Sequence, residues 1–234
     1  MKVAVKICGL ATLDALDVAL EAGADMVGFV FFPASPRHIG FEAAKRLGAR
    51  VASRALKVAL TVDATDHTLR DIVDALKPDM LQLHGREAPE RVGAIRSRFG
   101  LPVIKALPIA MRADLSPIRF YANFADRMLF DARAPREATR PGGLGRPFDW
   151  RLLENIDLGI PFMLSGGLDA DNVGEALRIT HAPGVDVSSG VERAPGLKDP
   201  DKIRAFVRAA RQAAERLTGG GAPSVAPKTR RRRG

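Results

Sequence analysis

Val3-Ala4-Val5-Lys6-Ile7-Cys8-Gly9 is a short apolar run that contains the single cysteine of the chain. β-Branched residues followed by glycine predict a buried strand that ends at a turn. Side chains alternate along a strand, so Lys6 and Cys8 share one face, and Val5 and Ile7 share the other. A lysine and a thiol on one face, at the C-terminal end of a strand, form a candidate reactive site. The alternative is that Cys8 is a small core residue, as free cysteines commonly are.

The composition indicates a soluble globular protein. The chain has 234 residues, of which 46% are hydrophobic, enough to bury the core of one large domain or two small ones. One cysteine excludes an intramolecular disulfide, and neither a signal-peptide pattern nor an apolar run of membrane-spanning length is present. We therefore expect a cytoplasmic protein without a membrane partner.

The end of the chain has a different composition from the rest. Residues 218–234 hold five positive charges and no acidic residue, and so supply more than half of the net charge of +9. Glycine, proline and an arginine run predict a flexible, disordered basic tail. Arginine runs can bind nucleic acid, but most such ends are solvated extensions. We expect no nucleic-acid partner, and any such binding would be confined to the tail.

Strands and helices alternate along the first 217 residues. The predicted strands are 3–8, 26–31, 55–62, 80–83, 102–107, 128–131, 161–164 and 185–187. The predicted helices are 12–22, 41–52, 66–76, 88–99, 112–122, 149–155, 170–178 and 199–217. Eight such units predict a single-domain (β/α)8 TIM barrel, with residues 1–217 as the catalytic domain. An open Rossmann-like sheet is the alternative, weakened because no Gly-x-Gly-x-x-Gly follows the first strand.

Polar residues recur where the predicted strands end. They are Cys8, Arg37, Asp63, His84, Lys105, Asp131, Ser165, Asp186 and Ser188. Active sites of parallel barrels lie at the C-terminal ends of the strands. We therefore expect these side chains to converge on one site.

The loops after strands seven and eight are rich in small residues. The first contains Ser165, Gly166 and Gly167, and the second contains Ser188, Ser189 and Gly190. In barrels this pair of loops commonly binds phosphate through backbone N–H groups. The alternative is that these glycines only make tight turns. Gly143 and Gly145, in the long loop after strand six, would supply further donors or form part of a lid.

Cys8 and Asp131 are the acid–base candidates. A reaction that moves one proton off carbon and another onto oxygen needs such a pair. A thiol acts as a base only as the thiolate, which a cation such as Lys6 would favour. The alternative for Asp131 is a structural ion pair with Lys6, Lys105 or Arg133.

The remaining charged residues are assigned supporting roles. Lys6 and Lys105 are expected to face inward and to pair with an anion, for which Asp186 is the obvious candidate. Arg37 lies in a loop stiffened by two prolines, which suits a carboxylate clamp, and its alternative is a solvated arginine. His84 is either a second acid or a hydrogen-bonded wall residue, and we favour the wall. No cluster has metal-ligand spacing, so we expect no metal and no cofactor.

An ordered set of short segments lies along the chain, most of them at the ends of the predicted strands. They are 6–10, 28–31, 35–37, 82–85, 129–131, 142–145, 148–150, 164–168, 185–192, 195–196 and 198–199. Together these segments resemble the phosphoribosylanthranilate isomerase family of tryptophan biosynthesis. The resemblance extends over residues 2 to about 215. Single motifs are weak, but the ordered set is specific.

The resemblance implies an Amadori rearrangement of N-(5-phosphoribosyl)anthranilate to 1-(2-carboxyphenylamino)-1-deoxyribulose 5-phosphate. By the family pattern Asp131 is the acid that protonates the ring oxygen, and Cys8 is the base that removes the C2 proton. Arg37 would hold the anthranilate carboxylate, and the two glycine-rich loops would hold the phosphate. The aromatic ring would rest on an apolar wall that includes Phe31.

Some alternatives stay open at this point. The related barrel isomerase of histidine biosynthesis performs the same rearrangement, but that family is expected to show an internal repeat and an aspartate on strand one. A lyase or synthase on the same scaffold would need a catalytic lysine, for which Lys105 is the candidate. A non-catalytic binder of phosphorylated ligands, or a nucleic-acid binder acting through its tail, would not need both Cys8 and Asp131. Leu144 stands where family members often have Ser or Thr. The sequence is compatible with a monomer or a homodimer.

Overall fold

The protein is described by a computed structural model over residues 3–133, 147–156 and 158–219. Eight strands form a closed barrel in sequence order, and each strand pairs in parallel with the next. The strands are β1 (Ala4–Cys8), β2 (Met26–Phe31), β3 (Leu56–Thr61), β4 (Met80–Leu83), β5 (Val103–Ile109), β6 (Arg127–Ala132), β7 (Phe162–Leu164) and β8 (Gly184–Val187). The barrel closes where β1 pairs with β8, and this register places Lys6 beside Asp186.

Helices return the chain from the end of one strand to the start of the next. They are α1 (Leu13–Glu21), α2 (Phe41–Val51), α3 (Asp66–Leu76), α4 (Pro89–Phe99), α5 (Ile118–Tyr121), α6 (Val173–Thr180) and α7 (Pro200–Gly219). Local sequence signals fix several ends. The Thr12 hydroxyl caps α1 by accepting from the Ala15 N–H at 3.3 Å, and Gly100 ends α4 in the left-handed conformation.

Alternate residues of each strand belong to two different cores. A lower interior layer is filled by Met26, Val58, Met80, Ile104, Ala106, Leu129 and Met163. The outward-facing residues, such as Val27, Leu81 and Phe130, pack against the helices in a larger core. Because the lower interior is filled by side chains, the polar groups of the upper interior lie at the C-terminal mouth of the barrel.

Three elements differ from the sequence prediction. The helix predicted over 112–122 is a 3-10 turn (Arg112–Leu115) followed by the single turn of α5. Pro117 lies between them, and a proline inside a continuous helix would remove a hydrogen bond and clash with the preceding turn. The helix predicted over 149–155 is only the 3-10 turn Trp150–Leu153. A two-stranded antiparallel hairpin, β9 (Glu192–Ala194) and β10 (Leu197–Lys198), was not predicted.

The predicted (β/α)8 barrel is confirmed, and the open Rossmann-like alternative is wrong because the sheet closes. Helix α7 extends to Gly219, two residues beyond the expected end of the catalytic domain at residue 217. The tail predicted for residues 218–234 lies outside the described residues after Gly219, and the division into domains stays a prediction.

Candidate active site

A cavity opens at the C-terminal mouth of the barrel. Interior-facing side chains from the ends of seven strands, all except β5, line it: Cys8, Val30, Leu60, His84, Asp131, Ser165, Asp186 and Ser188. The loops that follow β2, β3, β7 and β8 complete the wall with Phe32, Arg37, Val62, Gly166, Gly167 and Ser189. Seven of the nine polar residues predicted to converge therefore line one cavity, and Asp63 and Lys105 do not.

Cys8 lies at the end of β1 and is 3% exposed. Its sulfur and the Lys6 ammonium both border the space beside Gly28, where an added Cβ would lie 2.9 Å from Cys8 Sγ and 3.1 Å from Lys6 Nζ. Glycine at this position of β2 therefore makes room for the thiol and the amine. Burial, reinforced by the negative charge of Asp186, raises the pKa of the Cys8 thiol, although Lys6 and Lys198 oppose this effect.

Lys6 is fully buried and pairs with Asp186, whose Oδ1 lies 2.8 Å from Lys6 Nζ. Burial alone would lower the pKa of Lys6, but the charge of Asp186 and the neighbouring Cys8 raise it above its ordinary value. Lys6 is therefore a cation next to the thiol. The predicted pairing of Lys6 with Asp186 is present, and Asp186 also accepts from the Ser165 hydroxyl at 3.3 Å.

Asp131 lies at the end of β6, three strands from Cys8 around the barrel. Its Oδ1 accepts from the Ala132 N–H at 2.9 Å, and its Oδ2 lies 3.2 Å from His84 Nε2. The structural alternative for Asp131 required an ion pair with Lys6, Lys105 or Arg133. These three cations pair instead with other carboxylates: Asp186, Glu87 and Asp114 respectively.

Lys105 does not face the barrel interior, and that prediction is wrong. Its neighbours Ile104 and Ala106 fill the interior layer, so Lys105 points outward. There its ammonium donates to Glu87 Oε2 at 2.7 Å and lies 5.7 Å from the centre of the Tyr121 ring. Asp63 is likewise a structural residue, since its Oδ1 accepts from the Arg86 N–H at 2.7 Å.

The loops after β7 and β8 meet at the cavity. Gly166 and Gly167 have φ values of +85° and +67°, which favour glycine. A Cβ on Gly166 would lie 2.3 Å from the Ala132 nitrogen, so glycine also allows this loop to pass close to β6. Ser188 and Ser189 line the cavity. Gly190 packs against the loop after β7, where an added Cβ on Gly190 would lie 1.9 Å from the Leu168 carbonyl oxygen.

Arg37 is held by an acidic residue that the sequence analysis did not assign. Its Nε and one terminal nitrogen donate to the two oxygens of Glu192 at 2.7 and 2.8 Å. Lys198 Nζ binds the same carboxylate at 2.8 Å and donates to the Ser188 carbonyl at 2.8 Å. Burial opposes ionisation of Glu192, but hydrogen bonds from Arg37 and the charge of Lys198 hold its pKa below the ordinary value. We call Arg37, Glu192 and Lys198 the Glu192 network.

The Glu192 network connects separate parts of the site. Arg37 belongs to the loop after β2, whereas Ser188 belongs to the loop after β8. The Ser188 hydroxyl in turn donates to the Cys8 carbonyl at 3.1 Å. The guanidinium, the expected phosphate loop and the end of β1 are thereby fixed relative to one another.

Several other predictions have a clear outcome in the structure. Phe31 faces the outer core and not the cavity, so its expected place in the aromatic wall is wrong, and Phe32 lines the cavity. Gly143 and Gly145 lie outside the described residues. Among the residues that the structure describes, no group of three His, Cys, Asp or Glu side chains could hold a metal ion. None of the helices in these ranges combines the length and apolarity needed to cross a bilayer.

Taken together, the fold and the cavity define a class of protein: a (β/α)8-barrel enzyme with a thiol and a carboxyl group at one cavity and small-residue loops beside it. The family model described as N-(5'phosphoribosyl)anthranilate (PRA) isomerase matches residues 5–209. The N-(5'-phosphoribosyl)anthranilate isomerase of Rhodopseudomonas palustris (strain BisB5) is 64% identical over 218 residues, which cover 93% of this chain and all of the relative.

Solved structures give the same result. The phosphoribosyl anthranilate isomerase of Thermotoga maritima superposes with a TM-score of 0.82 at 36% identity, covering 90% of this chain and 99% of that one. A second structure has a TM-score of 0.77 at 33% identity, with the same coverage. It is a phosphoribosyl anthranilate isomerase in complex with reduced 1-(o-carboxyphenylamino)-1-deoxyribulose 5-phosphate.

The chain belongs to the N-(5'-phosphoribosyl)anthranilate isomerase family. The resemblance inferred from the sequence motifs is thereby confirmed, together with the assignment to the isomerases of tryptophan biosynthesis. The match also decides between the two barrel isomerase families considered from the sequence, because it covers nearly the whole barrel.

Proposed function

We propose that this chain converts N-(5-phosphoribosyl)anthranilate to 1-(2-carboxyphenylamino)-1-deoxyribulose 5-phosphate, with Asp131 as the acid and Cys8 as the base. The observation that carries the proposal is that both side chains line one cavity beside the loops after β7 and β8. Binding of a reduced form of that product by a family member of 33% identity supports the same substrate class.

Asp131 acts first. It protonates the furanose ring oxygen, the bond between that oxygen and C1 breaks, and the nitrogen lone pair of the anthranilate forms the Schiff base. The carboxylate that remains accepts from the Ala132 N–H and from His84. These hydrogen bonds stabilise the charge that develops on Asp131 as the proton leaves.

Cys8 acts second, as the thiolate. It removes the C2 proton, which gives an enaminol, and the ketone forms as a proton reaches C1 and another leaves O2. The neighbouring Lys6 ammonium stabilises the thiolate, and Asp186 holds that ammonium in place at 2.8 Å. Lys6 and Asp186 therefore support the base without touching the reacting carbon.

Arg37 binds the anthranilate carboxylate. A guanidinium fixed through two of its nitrogens by Glu192 presents a defined direction to a second carboxylate. Ser165, Gly166, Gly167, Ser188, Ser189 and Gly190 hold the phosphate through hydroxyl and backbone N–H groups, with Gly143 and Gly145 as further donors. His84 forms the wall next to Asp131. Phe32, Leu60 and Val62 provide the apolar surface for the aromatic ring.

The test is the loss of substrate fluorescence when freshly prepared N-(5-phosphoribosyl)anthranilate meets the purified protein. Cys8→Ala and Asp131→Asn are each expected to lower kcat by roughly 10²-fold or more, with unchanged circular dichroism. Near-full activity in both variants would refute the mechanism.

Arg37→Ala tests the binding role separately, because it should chiefly raise KM. The matched control is Arg50→Ala, which removes an arginine that also forms a two-point pair with an acid, Asp17, but on the exposed helical surface. An Arg37→Ala variant with an unchanged KM would remove the role assigned to Arg37. The monomeric or homodimeric state, the cytoplasmic location and the absence of cofactors stay predictions.

A further inference from the structure

Gln82 is a buried polar residue for which the proposed mechanism has no direct use. It lies on β4 in the interior row that continues to His84, and it is 0% exposed. Its side-chain nitrogen lies 3.0 Å from His84 Nδ1, and His84 Nε2 lies 3.2 Å from Asp131 Oδ2. Three polar side chains thus form a continuous row that ends at the proposed acid.

This row specifies where the proton of His84 lies. A neutral imidazole has one N–H donor and one bare acceptor nitrogen. In the orientation that the structure assigns to the Gln82 amide, its nitrogen faces Nδ1 and can only donate, which makes Nδ1 the acceptor. The proton is then on Nε2, from which it is donated to Asp131 Oδ2. The same contact disfavours a doubly protonated imidazole, because Nδ1–H would point at an N–H donor.

The other half of the Gln82 amide argues against a purely structural role. Within the described residues, the buried Gln82 Oε1 has no hydrogen-bond partner. A buried acceptor without a partner costs stability, and an apolar side chain of similar size would avoid this cost. Met80, the other interior residue of β4, is such an apolar side chain.

We infer that Gln82 is a positioning residue that keeps His84 neutral, with its proton on Nε2. The inference rests on the proposed function in one respect, namely that Asp131 is the acid. An ordinary imidazole is a stronger base than an ordinary carboxylate. A His84 free to accept a second proton would therefore take it in preference to Asp131 and leave the acid without the proton it must deliver. Gln82 prevents this competition and makes His84 a hydrogen-bond donor instead.

The first experiment measures the tautomer directly in the unmodified protein. The nitrogen-15 chemical shifts of the histidine side chains are recorded without substrate, and the His84→Asn variant identifies the His84 signals among those of the four histidines. We expect the Nε2–H form. A signal of the Nδ1–H form, or of imidazolium at neutral pH, would overturn the inference. No activity is needed, so this result is independent of the identity of the acid.

The second experiment changes Gln82 in two ways. Gln82→Met removes the amide with little change in volume, and Gln82→Glu replaces the donor facing Nδ1 with an acceptor. We expect kcat to fall roughly 10- to 100-fold in Gln82→Met, the range for loss of an outer hydrogen-bond partner of a catalytic group, and further in Gln82→Glu. KM should change little. Gln82→Met should be at least as stable as the parent protein, because it removes an unpaired buried acceptor.

The control is Thr61→Val, which removes another buried polar group that has no hydrogen-bond partner among the described residues. Thr61 lies on the same face of β3 as Ala59, which packs in the outer core. This variant should leave kcat unchanged. Wild-type turnover in Gln82→Met, alongside loss of activity in Asp131→Asn, would refute the role of Gln82 and leave the proposed function intact. A fall in kcat with a matching fall in stability would also refute it, since that pattern indicates a packing role.

Discussion

Removing the carboxylate of Glu192 is expected to be among the most damaging single changes in this protein. Three charge-assisted hydrogen bonds of 2.7 to 2.8 Å connect it to Arg37 and Lys198. All three side chains are at most 5% exposed. Glu192→Ala would remove the carboxylate that these two buried cations share. Breaking a buried ion pair from one side costs about 3–5 kcal/mol, against a total stability of about 5–15 kcal/mol for a typical domain.

The assay is urea denaturation followed by circular dichroism, at neutral pH. The matched control is Glu175→Ala on α6, because Glu175 also binds an arginine, Arg178, through two nitrogens. That pair is exposed, with 65% and 53% of its side chains accessible, so its removal should produce no resolvable change. Equal losses of stability in the two variants would refute the argument, since both carboxylates form a two-point pair with an arginine, and only that of Glu192 is buried and also bound by Lys198.

The same network gives a pH dependence with a defined sign. The folded protein holds the pKa of Glu192 below its ordinary value. Its contribution to stability is therefore fully present above the ordinary pKa and is lost as the pH falls through the lower, folded-state pKa. The stability difference between the parent protein and Glu192→Gln should shrink over that acidic range. A difference that stays constant from pH 7 to pH 3 would contradict the assignment.

Two further predictions concern Cys8. Gly28→Ala should lower both stability, by about 1–3 kcal/mol as for other overpacked sites, and turnover, because its Cβ would lie 2.9 Å from Cys8 Sγ and 3.1 Å from Cys8 Cα. Gly40→Ala is the control in thermal unfolding and fluorescence assays, because a Cβ added there would lie more than 4 Å from every described residue other than its chain neighbours. An unchanged kcat in Gly28→Ala would count against the assigned base. The second prediction is that the alkaline fall of kcat/KM is centred above the ordinary pKa of a cysteine thiol, because burial raises the pKa of the Cys8 thiol. In the proposed mechanism the active form has one proton on Asp131 and none on Cys8. The form with that proton on Cys8 instead binds the same number of protons, so the balance between the two forms does not change with pH. Only the loss of the proton at higher pH lowers kcat/KM. An alkaline fall centred below pH 8 would show that another group controls the rate.

Local patterns were sufficient to predict the barrel and to predict that Cys8 and Asp131 meet at one cavity. Each strand is a short apolar run bounded by turn residues, and the run of β1 ends at Cys8 just as that of β6 ends at Asp131. Once eight parallel strands were expected, their C-terminal ends had to meet at one mouth. Pro117 was also visible in the sequence and should have divided the helix predicted over 112–122.

The direction of single side chains could not be predicted in the same way. Strands of a parallel barrel are buried on both faces and therefore read as continuous apolar runs without alternation. Val103, Ile104, Ala106 and Leu107 are all apolar, so nothing local shows that Lys105 faces outward. For the same reason, the sequence analysis placed Phe31 in the wall of the cavity, where the structure has Phe32. A shift of one residue reverses the face, and only the packing against the helices decides it.

Partners that are distant in sequence were the second missing element. Arg37 and Glu192 are 155 residues apart, and no local signal connects them. Gln82 could have been recognised, because a polar residue two positions before His84 must share its face of β4. The consequence of that contact, a fixed tautomer, depends on which amide atom meets the ring and is therefore a property of the folded site.

The distribution of buried charge explains why Asp131 is suited to deliver a proton. The buried cations of this region are each matched by a carboxylate other than Asp131: Lys6 by Asp186, Lys105 by Glu87, and both Arg37 and Lys198 by Glu192. In the described part of the chain, the partners of Asp131 are a backbone N–H and His84. A lysine or arginine beside a carboxyl group would favour its ionised form and leave a smaller fraction of it protonated. The ion pairs around the cavity therefore do more than stabilise the barrel, because they keep full positive charges away from the carboxyl group that carries a proton in the proposed mechanism.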